Sequence, residues 1–456
     1  MVQDSFEQFL AFMTRGIQTI LFLFIFIFCG YSIDPKTNIK AKSKEELKEM
    51  KKDAAELFTA SKYKNALSIY LELFKTDSQN VEYNYRIGFC YLETSINKKA
   101  AMKYLETANQ SKNVKKEWIY YLGLACMYNE NWDEAIHWFK NFKNVTRSKL
   151  IKDFLNPDRM IEMCINGKDL CANPVNCVFR NAGKNINLSY PDYNPFISAD
   201  GNSLIFTSRR KGNAGNFIEE LGTYTSDIYW SQRKDLVWTK AKNVGANINS
   251  EWDEETVGFS SMGECIYVYY DNEEAFADLG KSTLKGKIWQ KTETLPNGVN
   301  SLQYEGGACS TLDGNTIYFS SSRKDGFGGS DLWMIKREKN GVWGIATNMG
   351  NNINSSYDED SPFLSLDGKK LFFSSKGWNS MGGFDIFCST WNEREKNWSI
   401  PVNIGFPLND ADDNNFISFT GSERFAYLSA LRPDGFGDRD IYEVEFLDNC
   451  IIHLQI

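Results

Sequence analysis

The 456-residue chain carries a formal net charge of −8, with 42% hydrophobic and 14% aromatic residues. That composition supplies sizeable cores for two or three domains and excludes a globally disordered chain. Without a concentrated basic face it also argues against nucleic-acid binding. Only two histidines, His137 and His453, leave little room for His-based metal sites or for Ser-His and Cys-His catalysis.

Residues 1–32 read as a signal segment. Leu21 to Phe28 is an unbroken apolar run, extended upstream by Ile17 and Ile20, with Arg15 as the positive flank and Gly30 and Ser32 as small residues near a cleavage site. The run is short for a membrane span of ~20 residues but suits a signal-peptide core. Cys29 closes it, and acylation there would tether the mature chain to a membrane. Phe28, however, stands where a bacterial lipobox has Gly, Ala or Ser, so cleavage after Ser32 without lipidation is the other outcome. The expected location is the periplasm or the periplasmic face of the outer membrane. In an exported chain the ten cysteines raise the question of disulfides. Cys90 and Cys126 fall on helix faces as buried thiols, whereas bridges are expected among Cys164, Cys171 and Cys177.

Residues 43–145 carry a helical repeat. Ala66, Ala100 and Ala135 are spaced by 34 and 35 residues. Each has a small residue twelve positions earlier (Ala54, Gly88, Gly123) and an aromatic four positions later (Tyr70, Tyr104, Phe139). Small residues let two helices approach closely while large ones fill the groove between neighbouring hairpins. The pattern resembles the tetratricopeptide repeat, of period 34. That resemblance implies a three-unit array whose concave surface takes peptides or proteins. Residues 146–174 read as a cysteine-containing linker.

From 175 to 450 the spacing changes to that of strands. Five units begin with an apolar strand and a turn glycine, Gly201, Gly263, Gly314, Gly368 and Gly421. Second strands (such as TIYFSSSR and KLFFSSK), third strands (SDIYWSQ, SDLWMIK) and a fourth marked by Trp238, Trp343 or Trp398 followed by Asn-x-Gly complete each unit. Four short strands per ~50 residues describe a propeller blade. Upstream of the first unit, VFRNAGKNINLSYPDYNPFIS has the cadence of a fourth strand lacking its three predecessors, and the last unit has three strands only. The two fragments should complete one blade, so that no sheet edge stays open. The fold class is thus multidomain: an all-α repeat followed by an all-β propeller of five blades, six if a degenerate unit is present. The same register brings Cys177 beside Cys450, a candidate disulfide locking the ring.

The propeller units resemble TolB-like and WD-like repeats, and the SSR…GFGGSDLW form is similar to that of Bacteroidetes envelope proteins. The resemblance spans about residues 43–446. It implies a non-enzymatic, protein-binding scaffold of the cell envelope, as in the outer-membrane lipoprotein of type IX secretion, with other envelope proteins or peptides as partners. Full-length members carry an OmpA-like domain. This chain stops ten residues after Phe446, so peptidoglycan binding is not carried over.

Two charge patterns recur. Arg209 with Asp227, Arg323 with Asp331, Lys376 with Asp385 and Arg432 with Asp440 read as ion pairs holding the second and third strands. Acidic residues also precede each innermost strand: Asp192; Asp253 with Glu254 and Glu255; Glu305; Asp358 with Glu359 and Asp360; Asp412 with Asp413. They read as turn caps bonding backbone N–H groups. Alternatively they form a channel-mouth ring for Ca²⁺, with Asp253, Glu254, Asp358, Glu359 and Asp412 as ligands, or for a basic partner. No other cofactor is expected. The rival function is a propeller glycoside hydrolase or carbohydrate-binding protein using paired channel carboxylates. The one irregular insertion, residues 212–225, carries Glu219 and Glu220, but nothing marks them as an acid/base pair.

Overall fold

The structure, a computed structural model, describes residues 42–112, 114–218, 222–260, 262–271 and 278–448. The described residues divide at residue 50, with 42–50 in one unit and those from 51 on in another. The signal segment, Cys29, Cys450, Glu219 and Glu220 lie outside the described residues. Among the described residues no helix is long and apolar enough to cross a membrane.

The helices run in chain order as α1 (Lys44–Thr59), α2 (Tyr63–Thr76), α3 (Val81–Leu92), α4 (Ala101–Asn109), α5 (Lys116–Tyr128), α6 (Trp132–Val145), α7 (Lys149–Leu155) and α8 (Pro157–Ala172). The small-to-large pattern is steric. A Cβ on Gly123 of α5 would lie 2.8 Å from the Phe139 ring of α6, and the two helices close over that contact. Cys90 and Cys126 are buried thiols, and burial pushes both up to about 12.

Residues 146–174 are not a linker, which corrects the sequence reading. Asn156 adopts a left-handed conformation (φ 42°), accepts from the Arg159 N–H and is followed by Pro157, so a new helix starts there. This helix, α8, continues the array. A Cβ on Gly167 would lie 2.7 Å from the Trp132 ring, so α8 packs closely on α6. Cys164 is buried in this core, and Cys164, Cys171 and Cys177 are free thiols rather than the expected bridges, because the helix holds the first two apart as packing residues.

The second architecture is a five-bladed propeller. Its innermost strands are Asp192–Ile197, Asp253–Phe259, Glu305–Ser310, Glu359–Leu364 and Ser418–Phe419. The N-terminal strand Cys177–Asn181 pairs antiparallel with the last strand, Asp440–Phe446, with Cys177 opposite Phe446 and Asn181 opposite Tyr442. The orphan strand therefore completes blade 5 and closes the ring.

Second strands such as Lys370–Ser375 are buried along almost their whole length because a neighbouring blade covers each face. The core is accordingly a ring of five clusters, one per blade interface. Phe196, Ile205 and Ile228 of blade 1 meet Phe259, Ile266 and Trp289 of blade 2, and Tyr427 and Ile441 of blade 5 meet Leu204 and Phe206 of blade 1. Corresponding clusters join blades 2 and 3, 3 and 4, and 4 and 5.

Candidate functional site

Strand register fixes which groups share a face. The first residue of an innermost strand pairs with the last of the second strand, as Asp192 does with Ser208, and Ser208 pairs with Asp227 at the start of the third. The connections entering each innermost strand and the loops between second and third strands thus lie at one end of the ring, here termed the loop face. The acidic residues all belong to it.

Most of them fall into two structural sets. Asp192, Glu254, Glu305 and Glu359 each accept from the backbone N–H four residues earlier, those of Leu188, Ser250, Ser301 and Ser355. In blade 5 the equivalent residue is Asn414, which accepts from the Asp410 N–H. These side chains close the turn that enters the blade. Burial pushes Glu254 and Glu359 up to about 7. The second set staples neighbouring blades: Asp253, Asp358 and Asp413 accept from the N–H groups of Ser226, Ser330 and Phe384 in the preceding blade. Asp358 also binds Lys376 at 3.0 Å.

The Ca²⁺ candidates Asp253, Glu254, Asp358, Glu359 and Asp412 are therefore dispersed around the ring. Among the described residues no group of three His, Cys, Asp or Glu side chains is placed to hold a metal ion.

The expected Arg–Asp hairpin pairs are replaced by another device. Asp227, Asp331, Asp385 and Asp440 accept from loop N–H groups (Ala214; Phe327 and Gly328; Met381; Phe436) and from the amides of Asn243, Asn348, Asn403 and Asn181. Those asparagines are the first residues of the Asn-x-Gly turns. The fixed N–H and amide donors reach the carboxylates from within the blade, and the cations go elsewhere. Arg209 binds Asp253 at 3.2 Å, Arg323 binds backbone carbonyls at Gly298 and Val299, Lys376 binds Asp358, and Arg432 lies over the Phe179 ring.

A second asparagine set escaped the sequence reading. Asn187, Asn249, Asn300, Asn354 and Asn409 each accept from and donate to the backbone of one third-strand residue: Ile441, Ile228, Leu279, Leu332 and Ile386. Each amide acts as one rung of a sheet ladder. The signal was the recurring Asn a few residues past each Asn-x-Gly turn, as in NVGANINS and NMGNNINS.

Two groups depart from the repeat and give the loop face its individual character. The first is at the channel. Glu255 and Asp360 occupy equivalent positions, one past the turn-closing acid, and each reaches back to the preceding blade. Glu255 accepts from Tyr193 Oη at 2.6 Å and lies 3.6 Å from Arg209, while Asp360 accepts from Ser320 Oγ at 2.5 Å. Burial raises both carboxyls above their ordinary range. The Asp360 charge raises Tyr304, which also feels Glu255, so the three share one neighbourhood. On the same loop face Trp252, Leu302, Tyr304 and Phe327 are exposed, Leu302 by 98%.

The second is the joint with the helices. Arg159 of α8 is 5% exposed and donates to the carbonyls of Lys376, Gly377 and Trp378 and to Ser380 Oγ, all in one loop of blade 4. It also lies over the Tyr357 ring. Lys98 bonds Asp412 at 2.6 Å beside Tyr128. Burial works against the charged Asp412 carboxyl, but Lys98 and Arg439 hold it below its usual range. Met381 and Ala411 of the propeller belong to the same apolar cluster as Phe139 and Met163. Asp412 is thus a clamp between the helices and the ring.

The chain matches no protein-family profile and no curated protein. Among solved structures it is similar to a chain of the complex of PcrH with the chaperone-binding region of PopD, at 15% identity and a TM-score of 0.24, covering 29% of this chain and 99% of that one. It is also similar to the xyloglucan-locus GH43B of Bacteroides ovatus, at 13% identity and a TM-score of 0.36, covering 58% and 54%. A glycosyl hydrolase of Bacteroides ovatus is similar at 8% identity and a TM-score of 0.36, covering 56% and 84%. Likenesses this low carry no argument about function.

Proposed function

We propose that the protein is a non-enzymatic binding scaffold of a bacterial cell envelope, in which tetratricopeptide-like helices and a propeller form one rigid platform for envelope proteins or peptides. The joint carries this reading. Arg159, Lys98 and a shared apolar cluster fix α8 and its neighbours on blades 4 and 5. Trp252, Leu302, Tyr304 and Phe327 are left exposed on the same face. Most loop-face carboxylates are committed to turn closure and blade stapling, which a scaffold requires and catalysis does not. The envelope location and a place in a secretion assembly follow from the resemblance of the repeats alone.

The test is affinity capture from envelope fractions with the protein as bait, beside a Trp252→Ala/Leu302→Ser variant. Envelope partners retained by the wild type and reduced at least several-fold by the variant support the reading. Recovery of cytosolic proteins alone overturns it.

A second reading has its own observation. Glu255 and Asp360 are unequal to the repeat, raised by burial, and share the Tyr304 neighbourhood. Raised carboxyls at a channel are what a glycoside hydrolase or glycan-binding propeller needs. Turnover of arabinan, xylan or a related glycan that disappears in Asp360→Asn would establish it, and an inert panel removes it.

A further inference from the structure

Helix α7 stands apart from the rest of the array. Its seven residues, Lys149–Leu155, lie between Ser148, which accepts from the Ile151 N–H, and the left-handed Asn156. Ile151 and Leu155 pack inward on the cluster that contains Phe142 and Met163. The inner face is thus already satisfied. Leu150 and Phe154, four residues apart and therefore on one face, stand about 100° round from that inner face, 79% and 85% exposed. An aromatic and a leucine so exposed side by side on a short convex turn are costly in water and invite an apolar covering.

The chemistry around them is cationic. Beside the helix is a cavity of about 450 Å³ lined by Arg147, Lys149, Lys152 and Pro157, with Asp153 and Asp158 on its wall. Asp158 is held by Lys143 at 2.5 Å. Across α7 and its approach, three cations face one other acid, Asp153, on a chain whose formal net charge is −8. A locally positive knuckle on a negative protein is complementary to an anionic surface.

We propose that α7 is a contact for an anionic lipid surface, with Leu150 and Phe154 entering the acyl boundary and Arg147, Lys149 and Lys152 taking phosphate-bearing headgroups. A folded protein partner fits less well. A stable interface buries about 800 Å² on each side from some twenty or more residues, whereas α7 offers two protruding apolar side chains and no groove to receive a partner's own. A soft, planar, anionic boundary takes such a knuckle, because interfacial segments bury their apolar side by only several ångströms.

The test uses the full chain on vesicles of phosphatidylcholine containing a photoactivatable phosphatidylglycerol, with cross-links mapped by mass spectrometry, so that contacts made elsewhere are read separately. Cross-links are expected on peptides containing Leu150 and Phe154. They should fall about tenfold in Leu150→Ser/Phe154→Ser, which alters exposed positions and leaves thermal unfolding unchanged. They should fall several-fold in Lys149→Glu, and likewise when the photoactivatable lipid is phosphatidylcholine or the salt is raised. Cross-links absent from α7, equal in the double variant, or equal for neutral lipid overturn the proposal. Displacement by millimolar inorganic phosphate also overturns it, since the cavity would then be a site for a free anion.

Discussion

The helical array and the propeller are both repeats, but different forces hold their units in register. In the helices the buried contacts are steric and apolar: Gly123 against Phe139, Gly167 against Trp132, with buried Ala66 and Ala135 beside them, while ion pairs such as Lys143–Asp158 and Lys168–Asp133 stay at the surface. In the propeller an apolar cluster at every blade interface is supplemented by polar rivets that repeat around the ring. These are an acid or Asn closing each entering turn, an Asp bound by the Asn-x-Gly amide, and an Asn bridging a third-strand backbone. The difference follows from geometry. Helices satisfy their own backbone and need only fit one another, whereas short blades joined by long loops bury many backbone groups that side chains must satisfy.

The largest test of that contrast lies in the helices. Phe139→Ala empties the space opposite Gly123 and should cost about 3–5 kcal/mol, lowering the helical signal in thermal melts. A loss under 1 kcal/mol would mean that the hairpins are not held by this fit. Next is the joint. Arg159→Ala strips several blade 4 oxygens of a buried donor and should cost about 3 kcal/mol. It should also separate the melting of helices and ring, visible as two calorimetric transitions where the wild type shows one. A single unshifted transition would refute the rigid platform.

For the rivets, Asn354→Ala leaves the N–H and carbonyl of Leu332 without partners and should cost about 2 kcal/mol by urea denaturation, while Asn340→Ala in an exposed turn of the same blade should cost well under 1. Equal losses would show that the Asn rungs have no special role.

The last effect, comparable to that of one rivet, is on pH dependence. Glu359 sits near 7 in the folded chain against 4.5 unperturbed, so between those values the folded state keeps a proton that the unfolded chain releases. Its contribution to stability therefore falls as pH rises through that window. Glu359→Gln removes the slope, and relative to wild type should gain about 1–3 kcal/mol between pH 5 and pH 8. Parallel curves would show that the carboxyl is ionised throughout.

Much of this architecture was legible in the chain itself. The 34- and 35-residue spacing of Ala66, Ala100 and Ala135 and the turn glycines of the strand units gave the two repeats, because repeated packing demands repeated residue sizes. The orphan strand Cys177–Asn181 gave the closure, because a sheet edge needs a partner. One helix start was also written there: Asn156-Pro157 before an apolar period is a capping signature, overlooked when the cysteines suggested a linker.

What sequence could not decide was pairing. A basic residue and an Asp recur together in four blades, yet the nearer donors to each Asp are backbone N–H groups and an Asn amide, and only distances in the folded blade show that preference. The acidic residues look alike along the chain, but one residue of offset separates Glu254, which closes a turn, from Glu255, which reaches across to Tyr193 at the channel. Asp412, a cation-ligand candidate along the chain, is a clamp because Lys98, just ahead of α4, arrives beside it. Spacing and residue size are local properties, so the chain states them directly. The partner of a charge is set by what the tertiary fold brings within ~4 Å, and the chain alone does not contain that distance.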